Sequence, residues 1–277
     1  MPYLLNLKNM KESLWQSIIS VRKNSPLVHS ITNYVVMNNT ANALLAAGAS
    51  PIMAHAHAEV KDMVALCNAT VINIGTLDDY WVQSMLLAAQ EAHKINKPWV
   101  LDPVGAGATK YRDETVEALL AFKPAVIRGN ASEIMALAKM SQQQTKGVDS
   151  VHQSTDAVLA AQWLNTNFGS VICISGATDV VVEGSTQIVL TNGHPLMQQV
   201  TGLGCTASAL VAAFVGNEPT NVVMATAAAM ALLGVAGELA EQQSAGPGSL
   251  QTNLLDKLYT ITEAEFYRTL NAQQRNE

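Results

Sequence analysis

Thr70-Val71-Ile72-Asn73-Ile74, with Gly75 directly after it, is the first of four short apolar runs that decide the fold. Strands with so few polar residues are buried on both faces, as parallel strands covered by helices are. The runs alternate with segments of helical periodicity, which favours an α/β protein with a mostly parallel sheet. The predicted strands are 70–74, 99–101, 125–127 and 171–174, and the predicted helices are 80–95, 114–122 and 154–167.

The rest of the chain extends this pattern without a linker or repeat, and we expect one domain over residues 1–277. Residues 180–182 and 187–190 flank a polar turn and predict a hairpin. The last third is mostly helical, and the apolar stretch 222–237 is shorter than the ~20 residues of a membrane span. We interpret it as a helix buried on all sides. The polar stretch 141–154 is typical of a mobile surface loop.

Composition excludes several classes of partner. The net charge is −6 and no run of Lys or Arg occurs, so nothing indicates binding to nucleic acid or to an anionic membrane. Residues 4–20 have an amphipathic pattern that is unlike a signal peptide. The cysteines Cys67, Cys173 and Cys205 lie far apart, which fits a reducing cytoplasm rather than a disulfide framework or zinc site. Cys67 and Cys173 are interpreted as inert core residues.

Polar residues follow each predicted strand. Because ligands of open parallel sheets bind beyond the carboxyl ends of the strands, these residues are expected along one rim. They are Asn73 with Gly75, Asp102-Pro103-Val104-Gly105-Ala106-Gly107, Arg128-Gly129-Asn130-Ala131-Ser132-Glu133, and Ser175 with Gly176.

Two of these clusters suit a phosphorylated ligand and its metal ion. Asp102 is expected to hold Mg²⁺, which prefers one or two carboxylates together with phosphate oxygens, although an Asp here also suits a turn cap. Arg128 is expected to contact phosphate. Asn130 and Glu133 fit either that site or a helix capping box.

Gly202-Leu203-Gly204-Cys205-Thr206-Ala207-Ser208 precedes an apolar helical run, 207–215. Glycines at a helix start expose backbone N–H groups to an anion, so this segment predicts a phosphate-handling turn. A thiol at a helix N-terminus has a lowered pKa, which leaves Cys205 as a nucleophile, a weak base or a small tolerated residue. His194 is near it in sequence, but nothing in the pattern places the two together.

Other candidates are weaker. Met53 suits either the core or a pocket for an aromatic ring. His55 and His57 lie close to Glu59, but no further ligand has useful spacing, and a surface loop is favoured over a metal site.

Six of the motifs occur in the order found in the hydroxyethylthiazole kinase family, which this chain resembles from residue 25 to residue 258. They are Asn33-Tyr34-Val35-Val36, Ala49-Ser50-Pro51-Ile52-Met53-Ala54, Asn73-Ile74-Gly75-Thr76, the two clusters that begin at Asp102 and Arg128, and Thr201-Gly202-Leu203-Gly204-Cys205. The resemblance implies a ribokinase-like fold, ATP and Mg²⁺. It also implies phosphorylation of the primary alcohol of 4-methyl-5-(2-hydroxyethyl)thiazole in thiamine salvage, by a homotrimer with sites between subunits.

The resemblance also implies roles for single residues. Met53, Gly202 and Asn33 match substrate positions, Arg128, Ser175 and Asn130 match ATP positions, and Asp102 and Glu133 match metal and phosphate positions. Family members commonly have Thr where this chain has Ser175, which keeps the hydroxyl. Cys205, with the Gly202 and Gly204 amides, falls at the catalytic turn, where related kinases usually carry an Asp. Asn39 stands where an aromatic residue is expected.

Three alternatives remain open from the sequence. One is a kinase of the same fold that acts on a hydroxymethylpyrimidine or on pyridoxal. Another is an acyl transferase or hydrolase with Cys205 as nucleophile. The third is a ligand sensor without catalytic activity.

Overall fold

The computed structural model describes residues 7–145 and 155–276, and its centre is a nine-stranded sheet. In chain order the strands are β1 (Leu27–Ile31), β2 (Ser50–Ile52), β3 (Ala69–Asn73), β4 (Trp99–Asp102), β5 (Val126–Asn130), β6 (Val171–Ser175), β7 (Asp179–Glu183), β8 (Thr186–Leu190) and β9 (Ala272–Asn276). Across the sheet their order is β2-β1-β3-β4-β5-β6-β7-β8-β9. The pairs from β2 to β6 are parallel, and those from β6 to β9 are antiparallel. The predicted mostly parallel sheet is confirmed.

Helices cover both faces of the sheet. They are α1 (Leu7–Asn24), α2 (Met37–Ala47), α3 (Val60–Leu66), α4 (Asp79–Lys94), α5 (Lys110–Leu120), α6 (Ala131–Thr145), α7 (Thr155–Phe168), α8 (Leu203–Asn217), α9 (Val222–Glu241), α10 (Pro247–Thr260) and α11 (Glu263–Thr269). A 3-10 helix, Pro195–Gln199, lies between β8 and α8.

Each central strand contributes alternate side chains to two separate cores, because successive residues of a strand point to opposite faces. Val71 and Val100 join the core under α1, α2, α8, α9 and α10, whereas Ile72 and Leu101 join the core under α3 to α7. Both sets are buried. This two-sided burial explains why the strands are apolar at nearly every position.

The N-terminal helix packs against the last third of the chain. Trp15 lies with its ring centroid 5.5 Å from that of Phe266 in α11. Arg22 donates to the backbone oxygen of Leu258, in the last turn of α10, and to that of Ile261, directly after α10. α1 is therefore held in place by elements that are more than 200 positions away in the sequence.

Within the described residues, α9 is the one helix that is long and apolar enough to cross a membrane by length and composition. Its apolar residues lie in the core, and 83% of its most apolar window is buried. The prediction of a helix buried on all sides is confirmed.

The predicted strands, hairpin and intervening helices are confirmed, with ends that differ by a few residues. Three strands were not predicted. β1 carries His29 and Ser30 yet is buried from Val28 to Ile31. β2 contains Pro51 and lies at one edge, and β9 is a polar strand at the other edge. The loop predicted at 141–154 is wrong in its first part, because α6 continues to Thr145. The remainder of that stretch lies outside the described residues.

Candidate functional site

The parallel register brings the predicted polar clusters together at the carboxyl edge of the sheet. Asn73 at the end of β3 is paired with Asp102 at the end of β4, and Asn130 at the end of β5 is paired with Ser175 at the end of β6. The N-terminus of α8 lies over the same edge, because Ser208 in its second turn donates to Asp102. The predicted convergence of these clusters at one edge of the sheet is confirmed.

Asp102 is a buried carboxylate, with 1% of its surface exposed. Its Oδ2 accepts a hydrogen bond from Asn73 Nδ2 and another from Ser208 Oγ, each at 2.7 Å. Burial raises the pKa of Asp102, while the Arg128 guanidinium and these two hydrogen bonds lower it. The carboxylate is thus fixed in place but costly to keep charged, as expected of a group that receives a cation.

Cys205 is connected to this carboxylate through two amides. Asn33 Nδ2 donates to Cys205 Sγ at 3.3 Å and to Asn73 Oδ1 at 2.9 Å. Burial, followed by the charge of Asp102, raises the pKa of the Cys205 thiol, although the Asn73 and Asn33 amides lower it. The expected lowering by the helix N-terminus is therefore wrong for this site, because desolvation and a nearby carboxylate outweigh it.

The raised pKa disfavours Cys205 as a nucleophile, since attack requires the thiolate. His194, considered as its partner, instead caps the 3-10 helix by accepting from the Leu196 backbone N–H at 3.2 Å. Its other ring nitrogen lies 3.7 Å from Glu241. Neither contact involves the thiol, so the structure gives no support to a cysteine hydrolase.

Arg128 is a nearly buried cation, with 9% of its surface exposed. Its Nη2 donates to Ser175 Oγ at 2.7 Å, and its Nε is buried without a hydrogen-bond partner. Among the ion pairs found in the described ranges, none includes Arg128. A buried guanidinium without a carboxylate partner is energetically costly, and a bound anion would satisfy it.

Two glycines allow the start of α8 to approach this cation. A Cβ on Gly204 would lie 2.9 Å from Arg128 Nη1, and Gly202 has a φ of +80° and leaves no room for a side chain beside Val36. The first backbone N–H groups of a helix lack partners within the helix and carry partial positive charge. The guanidinium and the helix N-terminus therefore lie side by side, and both favour an anion.

Asn130 and Glu133 form the capping box that was considered for them. Asn130 Oδ1 accepts from the Glu133 N–H at 2.9 Å, and Glu133 Oε2 accepts from the Asn130 N–H at 2.8 Å. Glu133 Oε1 accepts in addition from the Gly105 N–H at 2.9 Å. Both carboxylate oxygens are thus engaged by backbone, and Glu133 joins the loop after β4 to the start of α6.

Arg112 fixes the same loop from the other side. Its Nη1 donates to the backbone oxygens of Ile74 and Val104 at 2.6 and 2.7 Å, and its Nη2 donates to that of Gly75 at 2.9 Å. The loops after β3 and β4 are consequently held together by a single side chain on α5. Sequence reasoning did not identify this residue.

A cavity of about 670 Å³ opens beside Arg128 and Gly204. At its polar end lie Ser175 and Asp179, and burial raises the pKa of Asp179 to about 6. Its apolar lining comes from the segment after β8 and from α9, namely Pro195, Met197, Val200, Met230 and Leu233. An elongated ligand with an anionic end and an apolar ring would fit this distribution.

Some predicted residues lie away from this cavity. Met53 is half-buried after the edge strand β2 and is not part of the cavity lining. Asn39 Oδ1 accepts from Gln251 Nε2 and so joins α2 to α10. The His55 ring stacks on Trp81, and the His57 ring stacks on Tyr80. No group of three metal-ligating side chains occurs in the part of the chain that the structure describes.

Besides Arg112, two further residues, Ser208 and Asp179, were given no role from the sequence. Ser208 lies four positions after Gly204, so it shares the face of α8 that points towards the sheet, and this spacing was a usable signal. Asp179 begins β7 and offered no local signal, because its approach to Arg128 depends on how the sheet is assembled.

Comparison with known proteins agrees with the motifs. The model of the hydroxyethylthiazole kinase family matches residues 18–264. A hydroxyethylthiazole kinase of Syntrophus aciditrophicus is 52% identical over 260 residues, which cover 94% of this chain and 96% of that protein. The chain belongs to the hydroxyethylthiazole kinase family.

Comparison with solved structures shows similar folds. A hydroxyethylthiazole kinase of Pyrococcus horikoshii OT3 superposes with a TM-score of 0.85 at 40% identity, over 98% of this chain and 100% of that one. A ribokinase-like superfamily protein of Enterococcus faecalis V583 superposes with a TM-score of 0.60 at 14% identity, over 86% and 88% of the two chains. The second likeness concerns the fold alone. The fold of this chain is therefore ribokinase-like, as the family resemblance implied.

Replacing Glu133 by alanine tests the structural part of its role. The Glu133→Ala variant leaves the Gly105 and Asn130 N–H groups without their acceptor, and we expect the free energy of unfolding in urea to fall by about 1–2 kcal/mol. The matched control is Glu114→Ala, which removes an exposed carboxylate paired with Lys110 and should change stability by less than about 0.5 kcal/mol. If the two variants were equally stable, the hydrogen bonds of Glu133 to the Gly105 and Asn130 N–H groups would not stabilise the fold.

Proposed function

We propose that this chain transfers the γ-phosphoryl group of ATP to the primary alcohol of 4-methyl-5-(2-hydroxyethyl)thiazole, as a step of thiamine salvage. Family membership supports the reaction. The observation that carries it in the structure is the buried Arg128 without a carboxylate partner, which lies against the glycine turn that begins α8 and lines a cavity. Such an arrangement suits a polyphosphate.

Three residues are assigned to ATP. Arg128 contacts phosphate oxygens, and Ser175 holds the guanidinium and offers its hydroxyl. Asn130 uses its Oδ1 in the cap of α6, so its Nδ2 is the group that it offers to the nucleotide. The adenine ring occupies the apolar part of the cavity, against Met230 and Leu233.

Met53, Gly202 and Asn33 are assigned to the thiazole. Asn33 is 5% exposed and contacts Cys205 directly, which supports its assignment beside the reacting alcohol. Gly202 lies three residues before Cys205. Its positive φ and the neighbouring Val36 side chain leave room only for a hydrogen. Met53 lies on the same edge of the sheet, after the strand next to that of Asn33, and offers a polarisable sulfur to the ring.

Asp102 and Glu133 are assigned to Mg²⁺. The residues fit this ion, because Asp102 presents a buried carboxylate with a raised pKa beside the phosphate position and both of its hydrogen bonds go to Oδ2. Glu133 acts through its charge, as its two oxygens are engaged by backbone N–H groups. When bound, the ion neutralises charge on the β- and γ-phosphates.

The reaction requires alignment more than strong base catalysis. The alcohol oxygen forms a bond to the γ-phosphorus while the bond from that phosphorus to the β–γ bridging oxygen breaks, and ADP leaves with those electrons. The alcohol proton passes to Cys205 Sγ in its thiolate form. The backbone N–H groups of Gly202, Gly204 and Cys205, together with Arg128, stabilise the transferring group. The raised pKa makes the thiolate scarce at neutral pH but a stronger base.

The assembly and location follow the same family. We propose one domain over 1–277, a homotrimer with sites between subunits, and a cytoplasmic location. Tyr34 and Val35, next to Asn33, are 58% and 62% exposed, so a neighbouring subunit would cover apolar surface beside the site. A trimeric mass by light scattering and a single unfolding transition are the expected results, and a monomeric mass would exclude shared sites.

A coupled ADP-release assay tests the function. With Mg²⁺ and ATP, we expect turnover on the thiazole alcohol and little on hydroxymethylpyrimidine or pyridoxal. Preference for either of those alcohols would indicate the rival vitamin kinase. Binding of the thiazole without ADP release would indicate a sensor. Inactivation by thiol alkylation in a reaction without Mg²⁺ would indicate the cysteine enzyme.

The assignment of Arg128 predicts a loss of nucleotide affinity. In Arg128→Ala, loss of charge-assisted contacts to phosphate should weaken binding of a non-hydrolysable ATP analogue by roughly 10- to 100-fold in calorimetry. Arg268→Ala removes one exposed positive charge from α11 and serves as the control for net charge. If both variants bind the analogue as the unaltered protein does, Arg128 is not an ATP ligand.

The assignment of Cys205 predicts a pH profile. Because its pKa is raised, the thiolate fraction grows as pH rises from 7 to 9, and kcat should increase by up to about tenfold per pH unit. Cys205→Ala should lower kcat by roughly 100-fold, flatten that profile and leave ATP affinity unchanged. A variant with unchanged turnover would remove Cys205 from the catalytic residues.

A further inference from the structure

The amide of Asn73 has only one possible orientation. Its Oδ1 accepts from the Gly75 backbone N–H at 2.9 Å, and a backbone N–H cannot act as an acceptor. Its Nδ2 faces Asp102 Oδ2 at 2.7 Å, and an ionised carboxylate only accepts. A rotated amide would place oxygen against oxygen on one side and N–H against N–H on the other. Asn73 is 1% exposed, so water cannot compensate.

This orientation determines that of Asn33. Because Asn73 Oδ1 is an acceptor, the atom of Asn33 that faces it at 2.9 Å must be Nδ2. Asn33 Oδ1 independently accepts from the Val35 backbone N–H at 3.1 Å. An amide nitrogen has two hydrogens, and the second points at Cys205 Sγ, 3.3 Å away. The direction of every hydrogen bond from Asp102 to the thiol is thus fixed.

We propose that Asn73 is a positioning residue of the phosphoryl transfer site, which acts through Asn33 to keep an N–H donor directed at Cys205 Sγ. The expected effect of Asn73 on turnover rests on the proposed function, whereas its expected effect on the thiol does not. The donor stabilises the thiolate relative to the thiol, and it leaves the opposite side of the sulfur to face the reacting alcohol. Asp102 therefore has two roles in the proposed site. Its carboxylate holds the cation, and its hydrogen bond from Asn73 orients the two amides.

The first test measures the thiol without any substrate. Alkylation of Cys205 by iodoacetamide at pH 8, followed by peptide mass spectrometry, should be about three- to tenfold slower in Asn73→Ala, because the thiolate loses its donor. Asn33→Leu removes the N–H donor of Asn33 while the bonds of Asn73 to Asp102 and Gly75 remain, and it should also slow alkylation. If Asn73→Ala fails to fold, the alkylation rate of Asn33→Leu decides the test.

The matched control is Asn165→Ala. Asn165 is a half-buried amide that also accepts from a backbone N–H, that of Gly184, and donates to a backbone oxygen, that of Ser170, but it lies on α7 away from the site. This variant should alkylate at Cys205 as fast as the unaltered protein. Unchanged alkylation in Asn33→Leu, or in a folded Asn73→Ala, would overturn the proposal.

The second test is a double-mutant cycle on kcat for the thiazole alcohol. If Asn73 acts through the thiol, Asn73→Ala should lower kcat about tenfold with the KM for ATP unchanged, and should cause no further loss in a Cys205→Ala background. Losses that multiply would show a structural effect instead and overturn the proposal. If the unaltered protein does not phosphorylate the thiazole alcohol, the proposed function fails, while the alkylation result still decides the role of Asn73.

Discussion

The parallel register of β3 and β4 is the constraint on which the site depends. It places Asn73 beside Asp102 at the point where both strands end, and the side chains meet in a hydrogen bond of 2.7 Å. A shift by one residue would turn Asn73 to the opposite face and replace it with an apolar neighbour. The two helical cores prevent such a shift, because Val71 and Ile72 are each buried against a different layer. Packing of the sheet thus fixes a polar contact of the site.

The site keeps two opposite charges buried without pairing them. Asp102 is held by neutral donors, and Arg128 is held by a serine hydroxyl. Each lowers the cost of burying the other through longer-range attraction, but neither is neutralised by direct contact. Buried charges of this kind cost several kcal/mol, which packing elsewhere must offset. In the function proposed above, the phosphates and the magnesium ion supply the missing counter-charges.

Much of the fold could be predicted, because apolar runs and helical periodicity are local signals. β1 was missed because His29 and Ser30 interrupt its apolar pattern, although both are buried between β2 and β3. Pro51 and the polar residues of β9 hid the two edge strands, where a sheet tolerates such residues. The convergence of the polar clusters at one edge of the sheet followed from strand direction alone. The pKa of Cys205 did not, because desolvation and the distance to Asp102 are properties of the assembled chain.

The docking of α1 also has a consequence for the order of events during synthesis. Trp15 and Arg22 find their partners at Phe266 and around Leu258, near the opposite end of the polypeptide. While the ribosome is still producing the middle of the chain, α1 lacks α8 and α9, the two helices against which it mainly packs. α1 is therefore synthesised well before its main packing partners, and its apolar face stays exposed in the nascent chain until they follow. Contacts across so many residues also slow folding relative to a chain whose neighbours in space are neighbours in sequence.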